Sequence, residues 1–181
     1  MAALCALCAL AALDPQVESV RRKLEAIENG KARRGSVVVF TSSELNAWAR
    51  AQVPTVVPDG VRDPKLELGN NAATAWAYVN FLKLRHAAGY QTNWLVAKLI
   101  DGEKLVKVNA RFESARGRAT VYLQRVEISG LAVSGSTLDF LINTFFMPLY
   151  PNAKINQPFE LQDNIDRIEV RPADARVYIK R

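Results

Sequence analysis

Apolar and polar positions change period along the chain, and the changes mark out its elements. Asp14-Pro15 is a helix start, a side-chain cap followed by proline in the first helical position. Val17, Val20, Leu24 and Ile27 follow at helical spacing until Asn29-Gly30, which predicts an amphipathic helix over 15–29 with a basic outer face. Val37-Val38-Val39-Phe40 reads as a short strand. Thr41-Ser42-Ser43-Glu44 is a capping box that opens a helix to about Val53, with Leu45, Trp48 and Ala49 on one side. Pro54 and Pro58 then enclose a loop.

From Val61 the period becomes two. Lys65–Leu68 and Ala73–Leu84 read as strands joined at Gly69-Asn70-Asn71, the second apolar on both faces. Residues 90–101 read as a short helix around Trp94, Leu95 and Leu99. Val106, Val108, Ala110 and Phe112 alternate with Lys107, Asn109, Arg111 and Glu113, the cleanest strand pattern in the chain. On the return strand Ala119, Val121 and Leu123 share one parity, while Val126 and Ile128 have the other. That change predicts a bulge near Gln124-Arg125 and a sheet that curls. After a small-residue loop from Gly130, Ser136-Thr137-Leu138-Asp139 is read as a second capping box. The helix it opens, to about Met147, is apolar nearly all round, and Pro148 follows. Two closing strands, Ile165–Arg171 and Ala175–Lys180, turn at Pro172-Ala173-Asp174.

With 181 residues, the chain is expected to form one domain over 14–181. Composition, at 49% hydrophobic and 23% charged, excludes a disordered or collagen-like chain. Met1–Leu13 is uncharged and apolar, too short to span a bilayer, and reads as the remnant of a secretory signal peptide with a small-x-small site at Ala9-Leu10-Ala11. Leucine precedes both Cys5 and Cys8, which speaks against a lipobox. Removing that segment would leave a cysteine-free chain in a periplasmic or secreted setting. Net charge is +6, and four of those charges come from the Arg21–Arg34 segment, where Arg21, Arg22, Lys23, Lys31, Arg33 and Arg34 outnumber Glu25 and Glu28. The surplus is a local patch suited to an anionic membrane surface, or simply a solvated helix face.

Catalytic chemistry finds little support. His86 is the single histidine, so nucleophile–histidine chemistry and a zinc site both lack residues, and no cofactor or metal is expected. Gly130 to Ser136 has phosphate-loop glycine spacing without the lysine. The unusual feature is apolar surface in excess. A helix apolar on all sides needs a buried or greasy environment. Either an ordinary α+β core clamps it, or a curved sheet leaves an apolar slot beside it.

The order of elements and several phrases resemble bacterial secreted proteins of the tubular lipid-binding (TULIP) type. Phe40-Thr41-Ser42-Ser43-Glu44-Leu45-Asn46-Ala47 is similar to their strand-then-helix opening, and Val61-Arg62-Asp63-Pro64-Lys65-Leu66-Glu67-Leu68 to the segment that follows. Glu127-Ile128-Ser129-Gly130-Leu131-Ala132-Val133 resembles their late strand, and Asn164-Ile165-Asp166-Arg167-Ile168-Glu169-Val170 their closing hairpin. The resemblance covers most of 15–181. It implies a strongly curved antiparallel sheet wrapped around one or two helices, enclosing a channel for lipid carried through the cell envelope without catalysis.

Parity and helical face then nominate the lining. Leu138, Leu141, Ile142, Phe145 and Phe146 form one wall; Val106, Val108, Phe112, Val121 and Leu123 form the other. The expected ligand is a lipid or other apolar small molecule, with the Arg21–Arg34 cations touching anionic headgroups and no nucleic acid as partner. The rival expectation is a closed-core interaction module of the envelope that uses its basic N-terminal helix and holds no ligand. Phe145→Asp is expected to abolish uptake in an open slot, and to unfold a closed core.

Overall fold

A computed structural model describes residues 14–56, 60–87 and 102–181. The leader read at 1–13 and the helix read at 90–101 lie outside the described residues. Helix α1 (Pro15–Glu28) begins as its signals require: the Asp14 carboxylate accepts the Gln16 N–H at 2.9 Å, and Asn29 caps the other end. Strand β1 (Val37–Thr41) runs into helix α2 (Ser42–Val56). The capping box at the junction forms in both directions, Glu44 N–H donating to Thr41 Oγ1 and Thr41 N–H to Glu44 Oε2. α2 continues through Pro54 rather than stopping before it. Only Thr55 and Val56 follow the proline, so little helix remains to be disrupted, and Thr55 Oγ1 donates to the Gln52 carbonyl.

Strand β2 (Val61–Gly69) starts earlier than its alternation indicates, because a bulge between Arg62 and Lys65 absorbs Asp63 and Pro64. Strand β3 (Ala72–Asn80) stops short of the Leu84 expected from sequence. Asn80 Oδ1 accepts the Lys83 N–H at 3.0 Å, and Phe81, Leu82 and Leu84 belong to helix α3 (Phe81–Ala87). His86 therefore lies in a helix and not in a loop. Strands β4 (Glu103–Ala115) and β5 (Arg118–Ile128) pair closely, and their register slips between Asn109 and Ala110 so that Gln124 has no partner. The bulge thus falls where the parity change places it.

Beyond β5, the Gly130 loop contains a three-residue strand, β6 (Leu131–Val133). Helix α4 (Gly135–Leu141) begins one residue before the expected box. Ser134 takes the N-cap position and no side-chain cap bond forms, so Ser136 lies inside the helix. α4 widens into a π-helical turn over Ile142–Phe146. Strands β7 (Pro158–Glu160), β8 (Ile165–Val170) and β9 (Asp174–Ile179) complete the chain.

The fold is α+β with antiparallel sheets. One sheet has six strands, ordered β2-β3-β4-β5-β6 with β7 also on β5; the other has three, ordered β1-β9-β8. The expected strong curl is absent, for the larger sheet is neither closed nor rolled around a helix. The Gln124 bulge changes side-chain parity on β5 without closing the sheet, and the closing hairpin pairs with β1 instead of extending the larger sheet. Trp76 and Tyr78, which made β3 apolar on both faces, lie opposite the packed face. Lys65 covers the Trp76 ring and Arg62 the Tyr78 ring, at 5.1 and 4.5 Å.

Two apolar cores result. Val20, Ile27, Phe40, Ile165, Val177 and Ile179 join α1 to the three-stranded sheet. Val79, Leu84 and Phe145 centre the second core, between the larger sheet, α3 and the π turn. Glu44, 8% exposed, ties the first core together. Lys23 Nζ donates to both its oxygens at 2.6 and 2.7 Å, Ser19 Oγ donates at 2.7 Å, and the Thr41 N–H at 2.8 Å. Burial pushes this carboxyl up, but the Lys23, Ser19 and Thr41 bonds and the Lys23 charge outweigh it, lowering it from 4.5 to about 2. The charged form is therefore favoured by folding. Its stabilisation, on the order of 3 kcal/mol, is complete above the unfolded value and is lost as pH falls from about 5 toward 2. Glu44→Gln is expected to lower unfolding free energy at neutral pH by about 2–4 kcal/mol and to flatten the acid limb. Urea unfolding across pH 2–7 checks this; an unchanged acid slope would assign the pH dependence to other carboxylates.

Candidate functional site

The inner face of β3, β4 and β5 is apolar by alternation, and the Gln124 bulge keeps it so along β5. Without the extra residue, Val121 and Leu123 would face opposite to Val126 and Ile128. With it, all four line one cavity of about 470 Å³. α4 and the π turn form the opposite wall with Leu138, Leu141, Ile142, Phe145 and Phe146, while Phe81 and Leu84 of α3 form one end. Among the described residues, Tyr150 supplies the sole polar side-chain atom in the lining. Such a space suits ligands held by contact and water exclusion.

Nine of the ten lining residues expected from sequence meet around this cavity: Val106, Val108, Val121, Leu123, Leu138, Leu141, Ile142, Phe145 and Phe146. Phe112 does not. It shares the face of Val106 and Val108 but lies farther along β4, beside a polar cleft of about 680 Å³ lined also by Ile168, Arg111 and Arg167. There the sheet meets β8, and Ser114 Oγ accepts the Ile168 N–H at 3.0 Å. Phe145 lies in the lining but is only 5% exposed, with its ring edge-on to Phe81 at 5.1 Å and to Phe140 at 6.4 Å. An Asp there would disrupt the core whether or not the cavity holds a ligand, so it cannot separate the two expectations.

Residues that no periodicity marks close one side of the cavity. Between β6 and β7, the edge of β5 from Val121 to Leu123 has no strand neighbour and is occupied by the segment after the π turn. Asn156 Oδ1 accepts the Leu123 N–H at 2.7 Å, the Asn156 N–H donates to Val121 O at 2.9 Å, and Ile155 bridges to Val121. Asn156 adopts φ +58°, a left-handed conformation that asparagine tolerates better than most residues. Ile155 thereby reaches the cavity lining.

The basic patch divides. Lys23 is not a surface contact: it is consumed by Glu44 and the Val39 carbonyl, with its ammonium 5.5 Å from the Phe40 ring centre. Arg21 pairs with Glu18 at 3.6 Å, a half-exposed i,i+3 bridge. Arg22, Lys31, Arg33 and Arg34 are exposed. Lys31, Arg33 and Arg34 lie on the α1–β1 loop, with Arg22 on α1 lining the same hollow as Arg33, and the Gly35 N–H donates to the Lys180 carbonyl, which brings Lys180 and Arg181 alongside. The sequence pattern alone did not separate the internal lysine from its neighbours; only the Glu44 partnership does.

No family model matches the chain, and no curated protein does.

The Asn156 latch is testable. Asn156→Ala removes the acceptor for Leu123 and strains φ, and is expected to cost about 1–3 kcal/mol. Asn156→Gly relieves only the strain. Denaturant unfolding should place the glycine variant between the other two, and equal stability of all three would show that the latch contributes nothing.

Proposed function

We propose that the chain is a non-enzymatic carrier or binder of a lipid or other apolar ligand, working in the periplasm or cell envelope. The observation that supports this most directly is the cavity, whose described lining is apolar except for the Tyr150 hydroxyl. Each buried methylene contributes about 0.8 kcal/mol, so a dozen of them supply on the order of 10 kcal/mol before the costs of ordering. No polar motif is needed for that. The resemblance to tubular lipid-binding proteins points to the same chemistry, although the strongly curled sheet that it implied is absent. The exposed cations Arg22, Lys31, Arg33 and Arg34 would bring the protein to anionic headgroups at about 1 kcal/mol each.

A closed-core interaction module is the second reading, favoured by the tight packing of Phe145 against Phe81 and by the same exposed cations. The two readings differ on whether the space inside is filled by ligand or is merely loose packing. Native mass spectrometry of protein purified without detergent is expected to show an adduct of lipid mass that organic extraction removes. A bare mass, unchanged after incubation with phospholipid vesicles, would overturn the carrier reading. Val108→Phe with Leu123→Phe should fill the cavity, raise the melting temperature and abolish the adduct. In a closed core the same rings overpack, and about 1–3 kcal/mol of stability is lost instead.

A further inference from the structure

The apolar cavity has a neighbour with which it shares a wall. An open hollow of about 840 Å³ lies on the far side of Val121, Phe146 and Ile155, and those three residues line both spaces. The two differ in chemistry. Among the described residues the cavity has no charged group in its lining, whereas the hollow presents Arg118 from β5 and Lys154 from the segment before β7, with Glu160 as the one acid. Arg118 and Glu160 stand 3.7 Å apart and are both well exposed, so their bridge is weak and Arg118 remains competent to meet another anion. Lys154 is exposed and makes no ion pair among the described residues. Phe146, in the shared wall, is 38% exposed, with its ring against Tyr150 at 5.0 Å.

We infer that the ligand is an anionic single-chain amphiphile whose chain occupies the cavity and whose carboxylate or phosphodiester lies in the hollow between Arg118 and Lys154, across the Val121–Phe146–Ile155 sill. The inference rests on the carrier reading above and adds the headgroup and the direction of entry. A neutral head would leave the two cations without the counter-charge that a monoanion supplies, and a dianion would face Glu160. The Asn156 latch matters here as well, because it fixes Ile155 in the sill and holds Lys154 two residues away. At a site this exposed to water the charges select the ligand, and the chain supplies most of the affinity.

The test compares a fluorescent fatty acid with its methyl ester, which has the same chain and no charge, above the carboxylate pKa and at low salt. The wild-type chain is expected to bind the acid about tenfold more tightly than the ester. Arg118→Gln with Lys154→Gln should reduce that preference to about twofold or less while leaving ester affinity unchanged. Circular dichroism verifies that the variant is folded, which the exposure of both side chains leads one to expect. An acid preference that survives in the variant overturns the headgroup assignment and leaves the cavity as binding site. Failure of both acid and ester to bind the wild type overturns the carrier reading itself. Millimolar inorganic phosphate distinguishes the source of the anion: it should neither displace the ester nor shift the melting temperature. A phosphate-induced stabilisation that the double variant lacks would make the hollow a free-anion site and overturn the amphiphile assignment.

Discussion

The Glu44 carboxylate is the constraint on which the arrangement of elements depends. A buried charge is tolerated only where its bonds are met, and this one receives donors from three residues on two elements: Lys23 and Ser19 on α1, and Thr41 at the end of β1. Those bonds fix the angle at which α1 lies across the β1–α2 junction. One residue on, Leu45 enters the first core. One further, the Asn46 side chain takes the Leu66 N–H and donates back to the Leu66 carbonyl, both at 2.8 Å, and so attaches α2 to the edge of the larger sheet. Thr41 to Asn46 therefore act as a joint between two sheets that share no strand. These six residues lie within Phe40–Ala47, one of the four segments on which the resemblance to tubular lipid-binding proteins was read, and Glu44, Leu45 and Asn46 each hold a different part of the fold.

From that joint the chain divides its labour. The first core is built around a polar centre. The second is built without one, and the cavity lies there. Its size follows from what covers the sheet: α4 is seven residues long and passes directly into a π turn, which widens the helix and swings Phe140, Phe145 and Phe146 onto different sides. Phe145 fills inward, while Phe140 and Phe146 stay partly exposed. A regular helix of the same composition would bury one stripe and present the other as a uniform apolar face. The observed cover is short and irregular, and it leaves space beneath it.

How much of this was legible depends on whether a signal was local. The Asp14 cap, the Thr41–Glu44 box and the Gln124 bulge each need only neighbouring residues, and each appears where the pattern puts it. Nine cavity residues followed from parity and helical face alone, since burial against one common partner is what produces those periods. Phe112 shows the limit: parity assigns a face but not the point along the strand where the covering element ends. The strand-to-helix change at Asn80 was hidden because Phe81, Leu82 and Leu84 prolong an apolar run that suits either state. Curl was over-read from the bulge, which corrects parity but does not by itself close a sheet. The latch at Asn156 and the role of Lys23 were invisible for another reason. Each is defined by a partner far off in sequence, Leu123 in one case and Glu44 in the other.

The two faces of the larger sheet differ in how their rings are covered. The face opposite the cavity carries Trp76, Tyr78 and Tyr122 among Arg62, Lys65, Lys107 and Arg111, a mixture that on an open sheet invites comparison with stacking platforms for single-stranded nucleic acid. Its rings are already covered by cations, Lys65 on Trp76, Arg62 on Tyr78 and Arg111 on Tyr122. Two of those three cations are in turn balanced by carboxylates: Glu103 pairs with Arg62 and Glu113 with Arg111. The hydrogen bond from Arg62 holds Glu103 below its ordinary range, which keeps it ionised and the pair neutral. A face so compensated offers a polyanion neither free rings nor a strong surplus of charge. Around the cavity cover the balance is reversed. Leu131, Phe140, Phe146 and Tyr150 are all exposed there, Leu131 by 74% and Phe140 by 57%, with no cation stacked on them among the described residues. Exposed apolar groups of this size persist at a surface where something apolar arrives. The rim of the apolar cavity is such a place, and the proposed carrier function requires one.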